Sequence, residues 1–202
     1  MVRLSLAAVI TAAQAGQVIS FPTDTLPALA VQPDQAAQIY RLKQRPSEKP
    51  LILMAATAAE LWPFAQGSPE DQAQWNAIAN QYWPGALTLV LPASDRLPAA
   101  ANPLDRSSIG LHIPACALAR QILAETGPLA TTSANRSGEP ALLNPDAIAA
   151  EFPEVTVLAE DPWPDPSGLA STARALASRW TMASSAAGQH CSGGGVSPWR
   201  SH

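Results

Sequence analysis

The chain has 202 residues, 47% of them hydrophobic and 14% charged, a composition that excludes a disordered polymer and suits one domain able to bury a core. A net charge of −4 excludes a broad basic face for nucleic acid, yet four of the twelve positive residues (Arg41, Lys43, Arg45 and Lys49) share one short stretch, as a local anion site requires. Two distant cysteines, Cys116 and Cys191, exclude metal-ligand spacing and a disulfide framework, and no apolar run reaches the ~18 residues of a spanning helix, so a cytoplasmic protein is expected.

In chain order, helical spacing runs from Leu4 to Ala15 and stops at Gly16. Gln17 to Phe21 reads as a strand that opens into the loop Pro22–Pro27, and Leu29 to Val31 as a second short strand. Asp34 is expected to cap a helix through Leu42. The basic stretch follows, broken by Pro46 and Pro50, and Leu51 to Met54 is a short apolar strand. Ala58 to Ala65 and Pro69 to Tyr82 read as helices, Trp83-Pro84-Gly85 as a turn, and Ala86 to Leu91 as a strand. After a loop over 96–106, Ser108 to Ile113 is a strand stopped by Pro114, and Ala115 to Glu125 a helix closed by Gly127. Leu129 to Thr132 is a strand and Ser133 to Asn144 is turn-rich. Asn144 caps a helix from Pro145 to Phe152, with Pro at its first position, and Val155 to Leu158 is the last clear strand. Interleaved strands and helices predict an α/β sheet with helices packed on it. Residues 1–181 are expected to form the domain. The Gly/Ser-rich stretch 182–202 is expected to be a disordered or loosely attached tail.

Three segments can carry chemistry, and each follows a strand or helix end. Pro22-Thr23-Asp24-Thr25 places two hydroxyls and a carboxylate at a strand end, where α/β sheets bind polar ligands; it also reads as a turn satisfying its own backbone. Lys43-Gln44-Arg45-Pro46-Ser47-Glu48-Lys49 supplies three cations that suit a triphosphate, or that simply complement a helix end. Thr131-Thr132-Ser133-Ala134-Asn135-Arg136-Ser137-Gly138 leaves a strand into hydroxyl, amide and glycine groups, which bind phosphate or carboxylate without a Walker loop, or serve as a turn. Cys116 opens a helix but has no paired histidine in sequence, and no histidine cluster marks a metal site.

Together and in this order, these segments resemble the YrdC-like L-threonylcarbamoyladenylate synthase family, over about residues 5–172. Pro22 to Thr25 is similar to its P-T-D/E-T signature, and Lys43-Gln44-Arg45 to its K-x-R motif, followed by Lys49-Pro50-Leu51. Trp83 to Thr88 resembles W-P-G-P-x-T, Ser108 to Pro114 the strand ending R-x-P, Ser133 to Gly138 S-A-N-x-S-G, and Gly168 to Thr172 a late S-T element. Two departures stand out: Leu26-Pro27-Ala28 where the family has Val-Tyr-Gly, and His112 in place of the arginine.

The resemblance implies a single α/β domain whose twisted mixed sheet and flanking helices surround a deep central cleft. It implies a nucleotidyltransferase that joins L-threonine, bicarbonate and ATP, with Mg2+ on the phosphates, into threonylcarbamoyl-AMP for downstream tRNA threonylcarbamoyl transferase proteins. Carried onto this sequence, Lys43 and Arg45 are catalytic. Arg45, Lys49, Ser108, Ser133, Asn135 and the backbone at Ala141 hold ATP, and Thr25, His112, Thr131 and Ser171 hold threonine. The alternative is a weak or inactive homologue that binds nucleotide or double-stranded RNA, and the low positive charge speaks against direct RNA binding.

Overall fold

Short, doubly buried strands need cover on both faces, and this chain builds its sheet from such strands. The structure is a computed structural model that describes residues 3–160, 163 and 167–176. Strand β1 (Arg3–Leu4) precedes helix α1 (Leu6–Gln14), then β2 (Ile19–Phe21) and β3 (Ala28–Val31) form a hairpin in which every strand residue is buried. Helix α2 (Ala37–Lys43), β4 (Ile52–Met54), α3 (Ala58–Leu61) and α4 (Pro69–Tyr82) follow. Then come β5 (Leu87–Pro92), β6 (Ser108–His112), α5 (Ala117–Thr126), β7 (Leu129–Ser133), α6 (Pro145–Glu151), β8 (Thr156–Leu158) and β9 (Thr172–Ala175).

Among the described residues the nine strands form one sheet in the order β1-β8-β2-β3-β7-β4-β6-β5-β9. The sheet is mixed: β2–β3, β3–β7, β4–β7 and β5–β6 are antiparallel, while β1–β8, β2–β8, β4–β6 and β5–β9 are parallel. The expected α/β class and mixed sheet are thus present.

Local chemistry explains the helix starts. Ser68 caps α4 by accepting from the Asp71 N–H at 3.2 Å, and the Asp71 carboxylate accepts from the Ser68 N–H at 3.0 Å, with Pro69 at the first position. Asp71, Trp75 and Ala79, four apart, form the buried stripe of that helix. The Asn144 side chain accepts from the Ala147 N–H at 2.8 Å, the cap expected for α6.

Three expectations need correction. Leu4 does not begin a helix: it pairs with Leu158 at the sheet edge, and α1 starts only after Ser5. Pairing with β8 outweighs the apolar periodicity there. Asp34 does not cap α2: it is exposed within a 3₁₀ turn (Pro33–Gln35), and the helix begins after Ala36. Thr156 to Leu158 is not the last strand, because Thr172 to Ala175 adds β9 beside β5. The expected tail, 182–202, lies outside the described residues.

Candidate active site

The β2–β3 hairpin carries the first candidate loop. Thr23 is fully buried; its hydroxyl donates to the Leu26 carbonyl at 2.7 Å and accepts from the Thr25 N–H at 3.1 Å. That bond set holds Thr25 in place, its hydroxyl 3.1 Å from that of Thr23. Asp24 is structural: its carboxylate accepts from the Ala115 N–H at 2.8 Å, anchoring the approach to α5. The loop also catches a distant segment. The Ser167 N–H donates to the Asp24 carbonyl at 3.1 Å and the Gly168 N–H to the Thr25 carbonyl at 3.2 Å. From there the chain crosses to β5, so Ala170 and Ser171 lie across from β7 and β4.

The result is a cavity of about 180 Å3. Its polar lining is Thr25, Arg45, Thr131, Thr132, Ser133 and Ser171, and Ile52 and Met54 contribute apolar wall. Such a volume, below the roughly 300 Å3 at which drug-sized pockets begin, suits a small polar molecule. A larger cavity of about 770 Å3 lies beside Gly16, Arg41, Arg136 and Glu154, but none of the residues assigned to ATP or threonine lines it. Arg136 there is already engaged by Glu151 at 2.6 Å and the Leu42 carbonyl at 2.5 Å. We therefore place the site in the smaller cavity.

The basic stretch divides into three environments. Gln44 ends α2 in the left-handed region, φ 50°, and the chain turns back so that Arg45 Nε donates to the Lys49 carbonyl at 2.9 Å and its Nη2 to the Pro50 carbonyl at 3.0 Å. These bonds fix the guanidinium of a residue that lines the cavity. Lys49 is exposed and contributes its carbonyl rather than its ammonium to this arrangement. Lys43 is only 1% exposed, and its Nζ donates to Thr132 Oγ1 at 3.2 Å, to Asn135 Oδ1 at 3.1 Å and to the Ser133 carbonyl. Burial lowers its pKa to about 7, and the charges of Arg45 and Lys49 push the same way. Three acceptors around one nitrogen oppose this by favouring the ammonium, which has three hydrogens to give.

Lys43 therefore stands directly behind Ser133. The Ser133 hydroxyl donates to Asn135 Oδ1 at 2.7 Å, and Asn135 Nδ2 donates to the Glu139 carbonyl at 2.5 Å. Arg45, Ser133, Thr25, Thr131 and Ser171 share the cavity; Lys43 and Asn135 support it. Lys49, Ser108, Ala141 and His112 do not line it. Ser108 begins β6, opposite Pro92, with its hydroxyl 3.3 Å from Asp105 Oδ2. Ala141 is half-buried beside Leu142, whose N–H donates to the Ala134 carbonyl at 2.8 Å. His112 is 0% exposed, and its Nδ1 lies 2.9 Å from the Leu87 carbonyl, an acceptor only, so this nitrogen carries the proton. Burial holds its pKa below the usual value, against the Leu87 bond and the Asp24 charge. The only N–H of the neutral ring is thus engaged by backbone, and a direct donor contact from His112 to a threonine carboxylate does not fit this placement. Thr132 and Thr88 were not among the expected site residues; Thr132 borders the expected Thr131, and Thr88 closes the Trp83 to Thr88 motif, the signal that could have found it.

The family model Sua5/YciO/YrdC, described as "Telomere recombination", matches residues 11–182. The chain belongs to the Sua5/YciO/YrdC family. A threonylcarbamoyl-AMP synthase of Stenotrophomonas maltophilia is 40% identical over 149 residues, covering 69% of this chain and 76% of the relative. One from Bacillus subtilis is 34% identical over 140 residues, 66% of this chain but 39% of the longer relative. Among solved structures, Pyrococcus abyssi Sua5 complexed with L-threonine superposes with a TM-score of 0.74 at 27% identity, over 86% of this chain and 52% of that one. Escherichia coli YciO, at 21% identity and a TM-score of 0.71 over 86% and 84%, shares the fold.

Proposed function

We propose that this Sua5/YciO/YrdC chain is an L-threonylcarbamoyladenylate synthase, making threonylcarbamoyl-AMP and pyrophosphate from L-threonine, bicarbonate or CO2, and ATP. The observation that carries this reading is the cavity itself: three hydroxyl-bearing residues from separate parts of the chain, Thr25, Thr131 and Ser171, converge in a space of about 180 Å3 with the Arg45 guanidinium at its wall. The names of the relatives, and the L-threonine bound to a neighbour of the same fold, support it.

The chemistry needs no side-chain nucleophile. The threonine amine takes up CO2 to give a carbamate and a proton. A carbamate oxygen then bonds to the α-phosphorus of ATP, and the bond to the bridging oxygen breaks as pyrophosphate leaves. The protein's task is to align the two substrates and to neutralise charge as it builds at phosphorus. Arg45, oriented by two carbonyls, offers a planar donor edge to phosphate, and Ser133 stands beside it. Lys43 holds the strand end that carries Ser133 and adds positive potential from behind. ATP is taken to enter as its magnesium complex, with triphosphate oxygens as ligands of the ion.

The product belongs to tRNA threonylcarbamoyladenosine synthesis, so a tRNA threonylcarbamoyl transferase must consume it. No helix among the described residues is long and apolar enough to cross a membrane, and we read the compartment as cytoplasmic. The net charge of −4 does not favour direct binding of RNA. The test is product identity. The purified protein with ATP, L-threonine and 13C-bicarbonate is expected to yield an adenylate whose mass carries the label; unlabelled AMP as the sole adenine product would refute the reading.

A further inference from the structure

Ser171 reaches the cavity at the end of a segment that is otherwise exposed, so something must fix the direction of its hydroxyl. Its hydroxyl lies 2.8 Å from Thr88 Oγ1, and Thr88, only 2% exposed, lies 3.4 Å from His112 Nδ1. The proton on His112 Nδ1 is fixed by the Leu87 carbonyl at 2.9 Å. That nitrogen has no lone pair to offer, so Thr88 cannot donate to it. The acceptor in reach of the Thr88 hydrogen is Ser171 Oγ; the opposite polarity would leave a buried hydroxyl hydrogen unpaired, which is costly. Ser171 then keeps its own hydrogen for the cavity. His112 Nε2, buried and without a partner among the described residues, fits a ring that stays neutral and never reverses this order.

We infer that Thr88 is a positioning residue, held by His112 and Leu87, that turns the Ser171 hydroxyl into a fixed donor toward an acceptor oxygen of the amino-acid substrate. This rests on the synthase reading and assigns a role to a strand residue outside the expected site. A neutral imidazole thereby influences the substrate through two hydroxyls, without entering the cavity.

The experiment compares Thr88→Val, Thr88→Ser, Ser171→Ala and the Thr88→Val/Ser171→Ala pair in pyrophosphate release, each checked for folding by thermal melting. Thr88→Val keeps the shape and removes the hydroxyl. It is expected to raise KM for L-threonine about tenfold, the scale of one lost hydrogen bond, while KM for ATP stays within about twofold. Thr88→Ser restores the parent value, and Thr88→Val adds nothing once Ser171 is alanine. Additive losses in the pair, an equal rise in both KM values, or a serine variant as poor as valine would overturn the relay. A parent protein that releases no pyrophosphate overturns the synthase reading instead. Calorimetric titration with L-threonine then judges the relay, and equal affinity of parent and Thr88→Val, or no threonine binding at all, overturns it.

Discussion

The two walls of the cavity are built in different ways. One wall comes from the sheet: Thr131 on β7 faces Ile52 and Met54 on β4, in a register that pairs Ile52 with Thr131 and Met54 with Leu129. The other is a loop of cations whose placement depends on backbone carbonyls, with Arg45 on the Lys49 and Pro50 oxygens. The sheet wall fixes shape, through positions that cannot slip without moving every neighbour by one face. The loop wall fixes charge, and it sorts three cations that look alike in sequence into one buried, one half-buried and one exposed. On the proposed function, the loop cation Arg45 meets the phosphates and the sheet residue Thr131 meets the amino acid.

The largest expected break is on the loop side. Arg45→Ala should lower kcat/KM for ATP about a hundredfold, the loss expected for a charge-assisted phosphate contact of a few kcal/mol, with the melting temperature little changed. An unchanged rate in a folded variant would remove Arg45 from the phosphate site. Next comes the sheet wall. Thr131→Val, nearly isosteric, should raise KM for L-threonine about tenfold and leave KM for ATP alone. If both rise together, the two walls do not divide the substrates.

The third prediction concerns pH. The Lys43 ammonium, with a pKa lowered to about 7, is charged below that value and loses its proton as pH rises through it. kcat/KM for ATP, which reports the free enzyme, should fall as pH rises from about 7 toward 8 and beyond. A profile flat to high pH would mean that Thr132, Ser133 and Asn135 hold the ammonium more strongly than burial expels it. The smallest effect is expected at Lys49→Ala, less than about threefold in kcat/KM for ATP, because its ammonium is exposed and lies off the cavity. A loss as large as that of Arg45→Ala would place Lys49 on the triphosphate.

The legible parts of this molecule were those in which local chemistry and tertiary role agree. The Pro69 start, the Asn144-Pro145 start, the β-rich run at Ile19 to Phe21 and the apolar run at Ile52 to Met54 each announce their element by residues a few positions apart. The candidate loops were legible for the same reason, since Thr25, Arg45 and Ser133 lie next to strand or helix ends. The illegible parts depend on partners far along the chain. Leu4 becomes a strand through Leu158, and Thr172 to Ala175, exposed along its length, becomes one only through β5. His112 was legible as a departure, yet the role proposed for it depends on the Leu87 carbonyl in the neighbouring strand and on Ser171, which is 83 residues from Thr88. Nor could spacing show that Lys43 is buried in the fold while Arg45 lines the cavity.

The central claim is that the cavity couples threonine and bicarbonate to cleavage of ATP. The most direct measurement is the rate of pyrophosphate release by the purified protein with all three substrates and with each omitted in turn. The account predicts release only when L-threonine and bicarbonate are both present. Release that persists without either one, or none from a protein that still binds ATP, would contradict it.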